Sequence, residues 1–218
     1  MSTHVSEPKG GDFTRILPPD GPQSAICVDV VDRGMQTSDW AGQIRTTRKL
    51  SIHWLLAENI PDKTWTHPKT GEVQDVHEKI AGRPYMVQRW YTASLHEKAA
   101  LRQMLRVWRG REFTADELEH FDVDDVIGVP CLLTIQYNKS GDVWYANVEG
   151  VSRLPKGMAA IKVPGDYVRF QDRPPREGQA TNGAVRDTSV SEPPPPDWSN
   201  IDEQADGLEE AEGDSLPF

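Results

Sequence analysis

The sequence contains few cysteines and no long apolar run. Its only cysteines are Cys27 and Cys131, and both lie within apolar segments that have the pattern of strands. No CxxC motif and no pair of histidines with ligand spacing occurs, which predicts buried, reduced thiols in a reducing compartment rather than a structural metal site. No apolar stretch approaches the ~18 residues of a membrane span, and the first residues lack an apolar signal segment. We therefore expect a soluble, cytoplasmic protein without membrane contact.

The sequence also lacks the short motifs of common enzyme classes. GxGxxG, GxxxxGK[ST] and GxSxG do not occur. The acidic cluster Asp122, Asp124 and Asp125 suggests metal-dependent hydrolysis as one alternative. Successive carboxylates in a loop are more often helix-end or solvent groups, however, and no His, Lys or Gly-rich phosphate loop accompanies these. We predict that the protein is not an enzyme and has no catalytic residue, no metal and no cofactor.

The negative charge of the chain is concentrated near its end. The formal net charge is −10, and residues 187–218 contain ten Asp or Glu and no Lys or Arg. Residues 1–186 therefore hold 24 acidic and 24 basic residues. The low pI reflects the tail and does not argue against a polyanionic partner for the rest of the chain.

Residues 171–218 differ in composition from the body. Residues 171–205 are rich in Pro and Gly, so they cannot bury enough apolar area to offset the entropy lost on ordering. We predict a disordered linker there, followed by an acidic tip at 206–218 that ends in D-S-L-P-F. Apolar residues that nothing local can bury indicate docking, either to another protein or onto a cationic groove of the body itself. The candidate partner-binding residues are Asp214, Leu216, Pro217 and Phe218.

A strand followed by a helix is predicted in the middle of the chain. Residues 85–92 are aromatic and β-branched with polar residues at close to period two, which is typical of a half-buried strand. Ser94 and Glu97 form a capping-box pattern that predicts a helix start, and Gly110 is a suitable stop. The apolar stripe of this helix consists of Leu101, Met104, Leu105 and Trp108.

Other segments flank this pair. Strands are predicted at 25–31, 46–56, 129–137 and 143–151. A polar loop is expected at 34–43, a small hairpin tip at 64–73, hairpin-turn chemistry at 138–142, and a short helix from Thr114, where Glu117 completes a second capping box.

The resulting order is strand, strand, strand, helix, strand, strand, which is the order of the OB-fold. We therefore predict a mainly β protein with a five-stranded OB-fold, a Greek-key barrel, and a helix between strands 3 and 4. The expected organisation is a flexible arm at 1–22, the OB-fold domain at 23–170, the linker at 171–205 and the tip at 206–218.

Aromatic and cationic residues lie close together along the body. Single-stranded nucleic acid needs both, because cations follow the phosphates while flat rings stack on unpaired bases. Candidate phosphate contacts are Arg45, Arg48, Lys49, Arg89 and Lys139, with His53 as a further contact or a plain surface residue. Candidate stacking residues are Trp40, Trp65, Trp90, Tyr91, Tyr137 and Tyr145.

The alternation of side chains along each strand limits which aromatic residues can contact a ligand. Trp54 and Trp108 share a face with Leu and Ile and are expected in the core. Trp90 and Tyr91 point to opposite faces, so only one of them can meet a ligand. Trp40 and Trp65 lie in predicted loops without apolar neighbours at a regular period, which favours binding.

Three stretches of the body resemble the OB-fold single-stranded DNA-binding proteins of tailed phages. They are R-K-L-S-I-H-W-L-L, Y-M-V-Q-R-W-Y-T-A-S-L-H-E-K-A-A-L-R-Q-M-L-R-V-W-R-G-R-E-F-T and V-P-C-L-L-T-I-Q-Y-N-K-S-G. The tip is similar to that of the bacterial single-stranded DNA-binding protein, where an Asp-rich run ends in Ile-Pro-Phe. Here Leu216 replaces the Ile, and Asp214 and Ser215 replace a longer Asp run.

The resemblance implies coating of single-stranded DNA without strong sequence preference. It also implies recruitment of replication, recombination or repair proteins through the tip, in the host cytoplasm if the protein is phage-encoded. The alternative is an interaction adaptor that binds no DNA and mimics the tip to capture host replication or repair proteins. The sequence leaves open the oligomeric state and the preference for DNA over RNA.

Overall fold

A computed structural model describes residues 15–40 and 43–174, except for the side chain of Trp40. Its strands are β1 (Gly21–Trp40), β2 (Gln43–Asn59), β3 (Thr64–Thr66), β4 (Val73–Asp75), β5 (Pro84–Thr92), β6 (Pro130–Ser140) and β7 (Val143–Arg153). Its helices are α1 (Ala100–Arg109) and α2 (Ala115–His120), with 3₁₀ turns at Val123–Val126 and Phe170–Asp172. Neither α-helix in the described ranges has the length and apolar character needed to cross a membrane.

Five strands form one antiparallel sheet in the order β5-β2-β1-β6-β7. The prediction of a mainly β fold is confirmed. Strands β3 and β4 form a separate two-stranded hairpin, as predicted for residues 64–73.

The edges of the sheet are β5 and β7, so within the described residues no backbone ladder closes it into the barrel that we expected. The two edges nevertheless approach each other. Arg89 of β5 bridges them, because its Nη1 donates hydrogen bonds of 2.8 Å to the carbonyl oxygens of Val148 and Glu149 in β7. A side chain therefore joins the two edges.

The core lies between the inner face of the sheet and α1. Leu50, Ile52, Trp54 and Leu56 of β2 are buried there, in agreement with their predicted shared face. Leu101, Leu105 and Trp108 of α1 pack against them, and the rings of Trp54 and Trp108 lie 6.2 Å apart. The predicted core positions of both tryptophans are confirmed.

Helix α1 begins later than the sequence pattern predicted. Ser94 does not cap it; its Oγ instead accepts a hydrogen bond of 3.1 Å from the backbone N–H of His96, in a turn before the helix. The helix starts at Ala100, and its N-cap, Ala99, offers no side-chain hydrogen bond. The predicted stop is correct, since Gly110 takes a left-handed conformation with φ of 71° and donates its N–H to Arg106 O. The second capping box, Thr114 with Glu117, is also confirmed at α2.

A β-bulge in β1 changes the face of the sheet on which the following side chains lie. Cys27 pairs with Trp54 but Asp29 pairs with His53, so Val28 is an extra residue in the ladder. Ile26 and Val28 pack with Leu55 on the side of the sheet that points away from the core, whereas Val30 packs against the core. The predicted common face of Ile26, Val28 and Val30 is therefore wrong beyond the bulge.

Residues 34–40 and 43, which belong to the segment predicted as a loop, form part of a two-stranded ribbon. Strands β1 and β2 remain paired from Gly34 opposite Lys49 to Trp40 opposite Gln43. Residues 35–39 and 43–46 are exposed. A strand that buries neither face needs no apolar alternation, so its sequence resembles a loop.

Both cysteines are free and buried, as predicted. Burial raises the pKa of the Cys27 thiol to about 12 and also raises that of Cys131. Leu17 is buried beside Trp65 and Val76, so packing of the body begins before residue 23.

Candidate nucleic-acid interface

The face of β1, β2 and β5 that points away from the core carries polar and aromatic side chains. On β2, Lys49, Ser51 and His53 alternate with the buried Leu50 and Ile52. Opposite them on β5, Trp90 pairs with Ser51 and Gln88 with His53. We call this surface the outer face. It is the surface on which sequence parity placed Lys49 and His53.

Arg33 of β1 is fixed at the centre of the outer face. Its Nε donates to Ser51 Oγ at 2.8 Å, and its Nη2 donates to Gln88 Oε1 at 3.2 Å. Its Cζ lies 5.0 Å from the centre of the Trp90 ring, which is within cation–π range. Trp90 is nevertheless 37 % exposed to solvent. An oriented cation thus adjoins a ring that a ligand can reach.

The contacts continue from Arg33 across the face. Nη2 of Arg33 lies 3.4 Å from Nε2 of His53, and the His53 and Phe170 rings are 4.8 Å apart. The guanidinium carbon of Arg173 lies 3.9 Å from the Phe170 ring centre and 5.8 Å from that of Tyr167. Rings and cations therefore form a continuous series of contacts. We call it the aromatic–cation row; it consists of Trp90, Arg33, His53, Phe170, Arg173 and Tyr167.

His53 is a neutral, covered member of this row. Burial, followed by the charges of Arg33 and Arg173, lowers its pKa to about 4. Its Nε2 lies 3.4 Å from Arg33 Nη2 and 3.0 Å from Ser51 Oγ. His53 is only 3 % exposed beneath Phe170, so it offers little surface to a ligand, and its direct contact with one stays a prediction. The positive charge of the row comes from its arginines.

Two more cations extend the outer face along the ribbon. Lys49 is half-buried and donates to Thr92 Oγ1 at 2.9 Å. Arg45, four residues earlier on β2, has the same parity and is exposed. Arg48 lies on the opposite side of the ribbon, where its Nη2 is 2.5 Å from Asp32 Oδ2. That hydrogen bond holds the pKa of Asp32 below its usual range, and the pair offsets the charge of Arg48.

Trp40 ends β1 opposite Gln43, at the tip of the ribbon. Its side chain lies outside the described part of the structure, so its predicted stacking role stays a prediction.

Three of the predicted contact residues pack within the fold or connect its strands. Trp65 is 6 % exposed and packs with Leu17 and Val76, so its predicted place on an open loop is wrong. Tyr91 is buried in the core, and burial raises its pKa. Arg89 lies with its Cζ 5.4 Å from the Tyr91 ring centre while it bridges β5 to β7. These side chains hold the fold and do not form part of the outer face.

Tyr137, Lys139 and Tyr145 lie on the β6–β7 hairpin. The Tyr137 hydroxyl donates to Pro18 O at 2.6 Å, and burial raises its pKa to about 12. Lys139 Nζ is 6.0 Å from the Trp144 ring centre, and Tyr145 is half-buried opposite Asn138. The predicted residues therefore divide between the outer face and this hairpin.

Sequence reasoning missed Arg33, Tyr167, Phe170 and Arg173. A signal was present in the last three, since Y-V-R-F-Q-D-R at 167–173 alternates rings with cations. The segment follows the last predicted strand and crosses the predicted boundary between domain and linker at residue 170, so no strand parity assigned its residues to a face.

The acidic cluster has structural partners. Asp122 Oδ1 accepts the N–H of Asp124 at 2.9 Å, and Asp124 Oδ2 accepts Nη2 of Arg169 at 2.8 Å. Across residues 15–40 and 43–174, no group of three or more His, Cys, Asp or Glu is arranged to hold a metal ion. The predicted partner-binding residues Asp214, Leu216, Pro217 and Phe218 lie outside the described residues.

Comparison with protein-family models, with curated proteins and with solved structures gives no match for this chain.

Proposed function

We propose that this protein is an OB-fold protein that binds single-stranded DNA along its outer face, largely without sequence preference. The strand order supports the fold assignment. Strands β5-β2-β1-β6-β7, with α1 and α2 between β5 and β6, follow the order of a five-stranded OB-fold, which is a partly open Greek-key barrel. The approach of β5 to β7 through Arg89 is compatible with such a barrel.

The observation that carries the functional proposal is the aromatic–cation row. An unpaired base presents a flat face that a ring such as Trp90 can stack on, and this stacking is worth ~1–3 kcal/mol per base for any sequence. Arg33 beside it supplies a cation for the phosphate, already oriented by Ser51 and Gln88. Neither contact requires the edge of a particular base.

The path of the phosphates follows from the positions of the cations. Arg45 and Lys49 share the face of Arg33, so a strand that stacks on Trp90 can place its phosphates along β2 towards the ribbon. Arg48 faces away and is paired with Asp32. The Lys139–Trp144 hairpin offers a second, smaller surface of the same chemistry.

A titration of the full chain with oligo-dT of about 20 nucleotides tests the proposal. We expect quenching of tryptophan fluorescence and an affinity that falls with salt, with a slope of about −0.7 per phosphate contact in a log–log plot. A duplex of equal length should bind more weakly, since its bases are already stacked. Failure to bind, or an affinity that does not change between about 50 and about 200 mM salt, would refute the proposal.

Recruitment of replication, recombination or repair proteins through the acidic tip is the second part of the proposed role. A chain lacking residues 206–218 should keep or gain affinity for oligo-dT while it loses those partners. The adaptor alternative makes a different prediction, since an adaptor would bind the partners but not the oligonucleotide. The two measurements on the shortened and full chains therefore distinguish the two roles.

A further inference from the structure

The chain does not leave the sheet after β7 but crosses its outer face. Apolar residues anchor the first part of the crossing segment, residues 159–173. Ile161, Val163 and Tyr167 pack on a buried cluster of Ile26, Val28 and Leu55. The anchor joins the segment to both β1 and β2.

Asp29 anchors the second part. This carboxylate is only 1 % exposed and accepts three hydrogen bonds from the segment. They come from Phe170 N at 2.6 Å, Arg169 Nε at 3.3 Å and the Tyr167 hydroxyl at 3.4 Å. A buried carboxylate that lost these donors would be left unpaired, which is costly. The segment is therefore a fixed part of the folded body.

This anchoring sets the position of Phe170 and Arg173. Phe170 follows Arg169 directly, and its own N–H is held by Asp29, so its ring is placed over His53. The Arg173 guanidinium also lies against the Phe170 ring, with Cζ 3.9 Å from the ring centre and Nε donating to Val168 O at 3.0 Å. Arg173 is exposed.

We propose that Phe170 and Arg173 form a second nucleotide-binding subsite of the outer face and that Asp29 is its positioning residue. This inference rests on the proposed binding of single-stranded DNA. The flat guanidinium occupies the place on Phe170 that a base would take. A base can replace it there, and the displaced cation then reaches the phosphate of the same nucleotide.

The subsite is distinct from the one at Trp90. Arg33 and His53 lie between the two in the row of contacts. Different nucleotides of one strand would therefore use Trp90 and Phe170. A very short oligonucleotide can bind at Trp90 alone, whereas a longer one gains from both positions.

The test compares Phe170→Leu and Arg173→Gln in the full chain with the unchanged protein. We expect each to weaken binding of oligo-dT of about 20 nucleotides by about five-fold or more, and to alter binding of one of about four nucleotides less than about two-fold. Arg173→Gln should also reduce the salt slope by about 0.7. Lys156→Gln, in the turn after β7, serves as the matched control for loss of one charge.

A double-mutant cycle tests the role of Asp29. If Asp29 acts only by placing the segment, Asp29→Asn should weaken binding in the unchanged background but have little further effect once Phe170→Leu and Arg173→Gln are both present. A purely structural role would lower the melting temperature and give additive losses of affinity. Tyr167→Phe, which removes one donor to Asp29 and keeps the carboxylate, replaces Asp29→Asn if that variant does not fold.

The outcomes separate this inference from the proposed function. If the unchanged protein does not bind oligo-dT, the proposed function fails. If it binds and Trp90→Leu weakens binding, but Phe170→Leu and Arg173→Gln bind the long oligonucleotide normally, the function stands and the second subsite is refuted. Additive losses in the cycle would refute the positioning role of Asp29.

Discussion

The guanidinium of Arg33 lies beside the Trp90 ring, with 5.0 Å between Cζ and the ring centre, while its nitrogens donate to Ser51 and Gln88. These hydrogen bonds connect the guanidinium, which β1 carries, to side chains of β2 and β5. A ligand that meets a cation and a ring already in place loses less entropy than one that must order them.

Trp90→Leu should weaken binding of oligo-dT by about 5- to 150-fold, the range that ~1–3 kcal/mol of lost stacking gives. Leucine retains an apolar side chain but offers no flat face to a base. Fluorescence anisotropy of a labelled oligo-dT measures the loss, and an unchanged melting temperature shows that the fold is intact.

Trp144→Leu is the matched comparison for Trp90→Leu, because Lys139 lies near the Trp144 ring as Arg33 lies near Trp90. We expect a smaller effect on binding. If Trp144→Leu abolished binding and Trp90→Leu did not, the interface would lie on the β6–β7 hairpin instead of the outer face.

Arg45→Gln should reduce the salt slope of DNA binding by about 0.7, the contribution of one phosphate contact. Arg45 is exposed on the side of the ribbon that continues the outer face. Arg48→Gln removes the same charge from the opposite side, where Asp32 is its partner, and should change the slope little. Equal effects of the two substitutions would mean that only net charge matters. Titrations at several salt concentrations provide the slopes.

Trp108→Ala should reduce the free energy of unfolding by ~3–5 kcal/mol, as large truncations in a core do. The ring packs against Trp54, and its Nε1 donates to Pro130 O at 3.1 Å. Val107→Ala on the same helix is the control. Val107 is 49 % exposed, so this substitution should change the free energy of unfolding by no more than about 0.5 kcal/mol. Urea unfolding measures both, and similar values for the two variants would contradict the assigned face of α1.

Stability should fall as the pH is lowered from about 6.5 to about 4. His53 has a pKa of about 4 in the folded protein and about 6.5 when unfolded, so the unfolded chain binds more protons in this range. The loss should be on the order of 2 kcal/mol, and His53→Gln should remove it. Glu117 overlaps this range only at its lower end, because its pKa is lowered from 4.5 to about 2 and its contribution to stability is lost between those two values. Thermal unfolding of both proteins at several pH values measures this loss. An equal pH dependence in His53→Gln would show that other groups are responsible.

Sequence patterns predicted the elements whose determinants are local. The alternation of Leu50, Ile52 and Trp54 identified the inner face of β2, because these apolar residues share one parity, although Ser51 and His53 on the other face are buried as well. The reciprocal bonds of Thr114 and Glu117 join residues three apart and were recognised for the same reason. Ser94 has the same pattern but its hydroxyl bonds within a preceding turn, so the motif alone did not determine the helix start.

The positions of the predicted contact residues depended on distant partners. Trp65 has no apolar neighbours at a regular spacing, but Leu17 and Val76 from other segments bury it. His53 is covered by Phe170, which is far away in sequence and follows the last strand. Local periodicity contains no information about such pairs. It correctly placed Lys49 on the face opposite the core, because that property depends only on the pleat of β2.

The bridge from Arg89 to Val148 and Glu149 has a mechanical consequence. The Arg89 side chain supplies two hydrogen bonds between the terminal strands, whose buried side chains also share the core. No strand ladder protects this junction, so the backbone amides along the edge strands β5 and β7 should exchange with deuterium faster than those of the central β1 and β2. A lysine at position 89, with a single nitrogen in place of the planar group, would widen this seam and speed that exchange further.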